Sequence, residues 1–149
     1  MPAVKVFVDT NVILYSHDRK DPEKMLRSRE WLRQLAIFQQ AVLNLQVLNE
    51  VTNVLLSKKW LATVEQVFSV VGQFSSMGNY PLSIWEMEEA RTLHLKYHYS
   101  WWDCLLLASA LNLGCTHFLS EDLQDEQKIE GLTIVSPFAH TPEQILVSR

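Results

Sequence analysis

Short apolar segments alternate with longer amphipathic ones along this chain, and that alternation is the strongest constraint on its fold. The apolar segments predict buried strands over residues 4–8, 41–45, 116–120 and 132–135. Strands separated by helices favour right-handed crossovers and a parallel sheet covered on both faces. We therefore expect the α/β class: a three-layer α/β/α domain around a mostly parallel sheet of four or five short strands.

Start and stop signals place the helices between these strands. Asp21-Pro22 is typical of a helix start and predicts a helix to about Gln39. Ser83 and Glu86 predict a capping box at the start of another helix. Gly114 is typical of a left-handed helix end. Further helices are predicted from Asp9-Thr10-Asn11, over 46–58, from Thr63, and over 101–113, with a short strand at 80–82.

Length and composition predict one globular domain over residues 1–149, in which 139–149 form a loosely attached tail or a short final helix. Hydrophobic residues make up 48% of the chain and charged residues 20%. No apolar run approaches the roughly 20 residues that span a bilayer, and no secretory signal precedes the first strand. We expect a cytoplasmic protein without a membrane partner, in which Cys104 and Cys115 are reduced packing residues.

Charge is distributed unevenly. Residues 1–85 hold nine Lys and Arg against seven acids, whereas residues 86–149 hold four against ten, and the whole chain carries a net charge of −4. This balance argues against binding nucleic acid by bulk attraction alone. A protein that gathers carboxylates at one site needs metal ions there before it can approach a polyanion.

Two acids follow predicted strands directly. Asp9 ends the first strand, and Asp122 follows the strand at 116–120. Because ligands of parallel α/β sheets bind at the carboxyl ends of the strands, both acids belong to the same edge. Each has a simpler explanation when taken alone: Asp9 suits a helix cap, and Asp122 lies in an acidic, soluble turn.

Two further acids lie on predicted helices. Glu50 taken alone is typical of a solvated glutamate. Asp103 lies three residues into a strongly apolar helix, where it needs either a cation or the free N–H groups of the helix start. If all four acids converge, their oxygen-only ligand set selects Mg²⁺ or Mn²⁺ over Zn²⁺.

In this order the motifs resemble those of the PIN-domain ribonucleases, and among them the VapC-type toxins of bacterial toxin–antitoxin pairs. The resemblance covers residues 4 to about 138. It is carried by four segments: Val6-Phe7-Val8-Asp9-Thr10-Asn11, Leu48-Asn49-Glu50-Val51, Ser100-Trp101-Trp102-Asp103 and Leu119-Ser120-Glu121-Asp122-Leu123-Gln124.

The resemblance implies a metal-dependent endoribonuclease in which Asp9, Glu50, Asp103 and Asp122 bind Mg²⁺ or Mn²⁺. Thr10, Asn11 and Ser120 would orient these ligands, with Glu121 as a further supporting acid. It also implies an RNA substrate, a cognate antitoxin and a homodimer. The antitoxin would need an exposed apolar groove, for which the candidates are Val64, Val67, Phe68 and Val71, or Trp31 and Leu35.

Basic and aromatic residues offer contacts to RNA. Lys and Arg track phosphates, and the candidates are Arg19, Lys20, Lys24, Lys58 and Lys59, although solvated helix faces look the same. Trp60, Trp101 and Trp102 could stack on bases, but their apolar neighbours favour packing.

Two other functions stay open at this stage. A phosphatase with an Asp nucleophile would also place an acid after its first strand, but here the residue two positions on is Asn11 rather than a second Asp. A non-catalytic RNA- or protein-binding domain of the same fold is the other alternative. Clustered carboxylates without compensating charge argue against it.

Overall fold

A five-stranded sheet forms the centre of the protein in a computed structural model that describes residues 3–146. The strands are β1 (Val6–Val8), β2 (Ala41–Val42), β3 (His117–Leu119), β4 (Lys128–Ile129) and β5 (Leu132–Val135). They lie in the order β2-β1-β3-β5-β4. All neighbours are parallel except β4 and β5, which pair antiparallel. The predicted α/β class and mostly parallel sheet are confirmed.

Helices connect the strands. They are α1 (Thr10–Tyr15), α2 (Pro22–Ile37), α3 (Leu45–Lys58), α4 (Val64–Ser75), α5 (Ile84–Tyr97), α6 (Trp101–Asn112) and α7 (Pro142–Leu146). The capping box of Ser83 and Glu86 opens α5, and Gly114 takes a left-handed φ of 74° after α6, both as predicted.

The core lies where the inner strands meet the apolar helices. All three residues of β1 are buried, and Phe7 stacks on Phe118 of β3 with ring centroids 5.3 Å apart. The middle of α6 is buried from Cys104 to Ala110. Burial on both faces of the sheet explains why these strands are continuously apolar rather than alternating.

Several predicted boundaries were wrong. The second strand ends at Val42 rather than at residue 45, because Asn44 caps α3 by accepting a hydrogen bond from the Val47 N–H at 3.0 Å. The strand predicted over 80–82 is a single bridge between Tyr80 and Asn44. Strand β4 was not predicted, because its two residues are too few to carry a periodic pattern.

The segment before α7 is attached to α2 rather than loose. The Trp31 indole N–H lies 3.1 Å from the Pro137 carbonyl and 3.0 Å from the His140 carbonyl. Trp31 and Leu35 are fully buried in this packing, so they cannot supply the exposed groove that we considered for them. Of the predicted tail, residues 147–149 lie outside the described part of the chain.

Two further sequence expectations concern the interior and membranes. Cys104 and Cys115 are buried, without a disulfide among residues 3–146, and burial raises the pKa of their thiols to about 11 and about 12. Within the same residues, every helix is too short or too polar to span a bilayer.

Candidate active site

Asp9 lies where β1 turns into α1. One carboxylate oxygen caps α1 by accepting from the Thr10 N–H at 2.7 Å, while the other accepts from the Ser120 hydroxyl at 2.8 Å. The side chain is almost fully buried, with 4% of its residue surface exposed. Asp9 is therefore both the helix cap that its sequence position suggested and a fixed carboxylate at the strand edge.

Ser120 and Asn11 join the two acids that follow strands. The Asn11 amide N–H group lies 3.0 Å from Asp122 Oδ2, 3.2 Å from Ser120 Oγ and 3.3 Å from Asp9 Oδ2. Ser120 Oγ also accepts from the Asp122 N–H at 3.2 Å. Asn11 thus contributes an amide donor where an Asp-nucleophile phosphatase would carry its second acid.

Glu50 reaches the same place from the early part of α3. The Thr10 hydroxyl donates to Glu50 Oε2 at 2.9 Å, and the Gln46 amide one turn earlier donates to Oε1, also at 2.9 Å. These two hydrogen bonds hold the glutamate toward the strand edge. Glu50 is therefore half-buried and hydrogen-bonded rather than fully solvated.

Asp103 lies in the first turn of α6. The Ser100 hydroxyl donates to Asp103 Oδ2 at 2.9 Å and accepts from the Asp103 N–H at 3.2 Å. The carboxylate therefore does interact with the helix start, through Ser100. It also lines the cleft described next, so the two interpretations of this residue apply together.

The four acids line one cleft of about 340 Å³, together with Thr10 and Asn11. Apolar and amide side chains complete its wall: Leu14, Asn53, Val54, Trp102 and Leu106. Within residues 3–146, no Lys, Arg or His side chain lines it. The four acids that the sequence singled out, Asp9, Glu50, Asp103 and Asp122, thus lie along the same cleft.

Burial and the charge of neighbouring acids oppose ionisation of Asp9 and Asp103. Burial raises the pKa of Asp9 to about 7, and the charges of Asp103 and Asp122 add to the effect against the hydrogen bond from Ser120. Burial likewise raises the pKa of Asp103, with contributions from Asp122 and Glu50. A cation in the cleft would relieve this repulsion.

The donor set suits a hard divalent ion. Carboxylate oxygens are the ligands that Mg²⁺ and Mn²⁺ prefer. As placed among the described residues, no three acidic, His or Cys side chains are arranged around one common ion position. Mg²⁺ is commonly held by one or two carboxylates, with water completing its shell, so pairs drawn from these acids fit it.

Glu121 faces away from the cleft. It forms an ion pair with Lys24, and this contact, together with Tyr15, holds the pKa of Glu121 below its usual value against the effect of burial. Its backbone N–H still approaches Asn11 Oδ1 at 3.4 Å. The side chain therefore contacts α2 and does not line the cleft.

The basic candidates lie outside the cleft as well. Lys24 is engaged by Glu121, and Arg19 and Lys59 line a separate surface cavity beside Trp60. Lys20 and Lys58 are exposed. None of the five belongs to the described residues that line the acidic cleft.

The polar side chains that accompany Glu50 on α3 were not predicted from the sequence. Gln46 lies four residues before Glu50 and Asn53 three residues after it, a spacing that places all three on one side of a helix. That spacing was a usable signal. The exposure of Trp102 had no such signal, because Trp102 lies at the start of a helix that is otherwise strongly apolar.

Comparison with known proteins identifies the family. The model of the PIN domain family matches residues 6–128. Among solved structures, the chain is similar to VapBC2 from Rickettsia felis bound to a promoter DNA fragment, with 15% identity and a TM-score of 0.63, covering 89% of this chain and 98% of that one. No curated protein gives a significant match.

Two other solved structures have a similar fold. A toxin–antitoxin complex from Klebsiella pneumoniae has 19% identity and a TM-score of 0.62, covering 89% of this chain and 98% of that one. DNA-bound VapBC from Salmonella typhimurium has 15% identity and a TM-score of 0.63, covering 90% and 98%. At these identities the likeness concerns the fold, while the family match spans most of the sequence. This chain therefore belongs to the PIN domain family.

Proposed function

We propose that this protein is an endoribonuclease that depends on Mg²⁺ or Mn²⁺ and acts as the toxin of a toxin–antitoxin pair. The observation that carries the proposal is the cleft itself. Asp9, Glu50, Asp103 and Asp122 converge there, and no side-chain cation among the described residues compensates them. Such a cluster is costly to fold unless a divalent ion compensates it, so it indicates a metal-dependent reaction.

The residues divide the work between holding and orienting. Asp9 and Asp122, tied together through Asn11 and Ser120, would hold the ion at the strand edge. Glu50 and Asp103, which line the same cleft, would contribute further ligands. When bound, the ion supplies positive charge for the phosphodiester oxygens and lowers the pKa of a water molecule.

Hydrogen bonds preorganise these ligands. Gln46 and Thr10 fix both oxygens of Glu50, and Ser100 fixes one oxygen of Asp103. Because each carboxylate is already held in one orientation, less conformational entropy is lost when the ion binds. The cleft is open to solvent beside Trp102, which leaves room for a polymer to enter.

The assignment as a toxin is supported by the complexes in which the structurally similar proteins were solved. Two of the similar structures are described as VapBC complexes and the third as a toxin–antitoxin complex, and the aligned region covers 98% of each of those chains. The proposal includes a cognate antitoxin, a homodimer and a cytoplasmic location. Val64 and Phe68 of α4, about half exposed, would contribute to such protein contacts.

The test compares two acids of the same turn. Asp122 lines the cleft, whereas Glu126 is exposed and does not. We expect the wild-type chain to cleave single-stranded RNA with Mg²⁺ or Mn²⁺ and not with EDTA. Asp122→Asn should lower the cleavage rate at least about 100-fold. Replacing a residue that only hydrogen-bonds to a metal ligand already lowers metal affinity or activity about 10–100-fold. Glu126→Gln should cleave like the wild type.

Two results would contradict the proposal. One is an equal rate for Asp122→Asn and the wild type. The other is RNA binding without cleavage across a panel of RNAs and both metals, which would favour the non-catalytic alternative.

A further inference from the structure

A second cavity adjoins the acidic cleft. It measures about 670 Å³, and its apolar wall consists of Leu45, Leu82 and Trp102. It shares Glu50, Asn53 and Trp102 with the acidic cleft, so the two form one continuous depression. Whatever occupies the second cavity lies next to the proposed site of cleavage.

Trp102 is the most distinctive side chain of this cavity. It is 64% exposed, although it directly precedes Asp103 in the first turn of α6. Trp101, its neighbour, is half-buried and packs against the core. Trp101 therefore packs against the core, whereas Trp102 does not. Exposure of a large aromatic surface costs free energy that a ligand can recover.

The wall formed by α3 is polar in a particular way. Gln46, Asn49 and Asn53 line it, and all three carry side-chain amides. An amide offers a donor and an acceptor together, which matches the edge of a nucleobase. Asn49 and Asn53 are exposed and one helical turn apart. Gln46 Oε1 is buried and has no hydrogen-bond partner within residues 3–146.

We propose that this cavity binds one unpaired nucleobase of the RNA next to the cleaved phosphate, with Trp102 stacking on its face. The amides of Asn49 and Asn53 contact its edge. The proposal rests on the function proposed above and specifies its substrate as a single-stranded segment, because a base within a duplex cannot expose its face to the indole.

The chemistry of the cavity favours a base over the other ligands considered. A phosphate would need cations, and no described lining residue is Lys, Arg or His. An apolar peptide helix would leave the amides of α3 buried without partners, which is costly. A base satisfies both walls at once, since it is flat and apolar on its face and polar at its edge.

The experiment removes one base at a time. An RNA that the wild-type protein cleaves at one position is prepared with a single abasic nucleotide at each position around the cleavage site. KM and kcat are measured for the wild type and for Trp102→Ala, Trp102→Phe and Trp85→Ala. Trp85 is the control because it is 47% exposed on α5 and does not line the cavity.

We expect one abasic position to raise the KM of the wild type about tenfold, the range of a single base–aromatic stack. For Trp102→Ala, the same abasic position should change KM less than about twofold, because this variant has no indole on which the base could stack. Trp102→Phe should retain most of the wild-type response, and Trp85→Ala all of it. Equal sensitivity of Trp102→Ala and the wild type at every position would overturn the proposal and leave a segment of a protein partner as the occupant.

Failure of the proposed function gives a different result. If the wild type cleaves none of these RNAs, the same set is compared by affinity, using fluorescence anisotropy in Ca²⁺. Loss of affinity at one abasic position that depends on Trp102 would support the base site while contradicting the nuclease. Absence of that dependence would overturn the base site as well.

Discussion

Two buried carboxylates of this protein have opposite electrostatic environments. Asp9 at the strand edge and Glu86 at the start of α5 are each 4% exposed, and each accepts three hydrogen bonds. Burial by itself acts to raise the pKa of both carboxyls. For Glu86 the hydrogen bonds from Ser83 and Asn112 outweigh it, so its pKa lies below the usual value. For Asp9 the pKa reaches about 7.

The number of hydrogen bonds does not explain the difference, because both carboxylates accept three. At Asp9 the effect of burial is reinforced by the charges of Asp103 and Asp122, whereas at Glu86 the hydrogen bonds outweigh burial. Glu86 is surrounded by a helix start and neutral amide and hydroxyl groups, which stabilise its ionised form. Burial is the largest cause of the raised pKa of Asp9, and the charges of Asp103 and Asp122, which line the same cleft, further disfavour its ionised form. The hydrogen bonds at the start of α5 are enough to stabilise the charge of Glu86. The charge of Asp9 needs a cation in addition to its hydrogen bonds.

The largest predicted effect is the pH dependence that Asp9 imposes on stability without metal. Its folded pKa is raised from 3.8 to about 7, so the folded state binds a proton more tightly than the unfolded state. Stability from this group is present below pH 3.8 and is lost as pH rises to 7. The loss is on the order of 4 kcal/mol.

Asp9→Asn removes this dependence. In EDTA, we expect it to match the wild type near pH 4 and to exceed it in free energy of unfolding at pH 7 to 8, by up to about 4 kcal/mol. Urea denaturation followed by circular dichroism measures the difference. Parallel pH profiles for the two proteins would show that Asp9 is compensated as fully as Glu86.

The second effect is stabilisation by the ion. A ligand at 100 times its Kd stabilises the folded state by about 2.7 kcal/mol. At pH 7.5 we expect Mg²⁺ or Mn²⁺ to raise the melting temperature of the wild type and of Glu121→Gln, whose side chain pairs with Lys24 outside the cleft. Asp9→Asn should lose this increase. An equal increase in all three proteins would place the ion elsewhere.

The fold was largely predictable because its signals are local and strong. Several local signals favour the same backbone conformation as the tertiary structure. They are the continuous apolar strands, Asp21-Pro22, the Ser83 capping box and Gly114. The errors lie where a contact with another part of the chain, rather than a local pattern, marks the element. The side chain of Asn44 caps α3 and so ends β2, and the two residues of β4 are recognisable only by their pairing with β5.

The site was predictable as a set and less so residue by residue. Its four acids could be listed because the ends of parallel strands share one edge and because the motifs occur in the order of the family. The sequence could not show that Glu121 turns toward Lys24 while Asp122 faces the cleft. It also could not separate buried Trp31 from exposed Trp102, since exposure depends on which helix covers each face.

The smallest effect should appear at Glu86, where the sign is reversed. Its folded pKa is depressed, so its contribution to stability is present above pH 4.5 and is lost as pH falls through the folded pKa. Glu86→Gln keeps one acceptor oxygen and loses the charge that Ser83 and Asn112 stabilise. We expect it to destabilise the protein by about 1–2 kcal/mol at pH 7.

The matched control is Glu88→Gln, an exposed acid on the same helix, which should lie within about 0.5 kcal/mol of the wild type in urea denaturation. Mg²⁺ should stabilise Glu86→Gln as much as the wild type, because the cleft is unchanged. A gain in stability from Glu86→Gln would mean that its hydrogen bonds do not offset burial. Glu86 and Asp9 would then be the same kind of buried acid, and repulsion between charges would no longer distinguish the cleft.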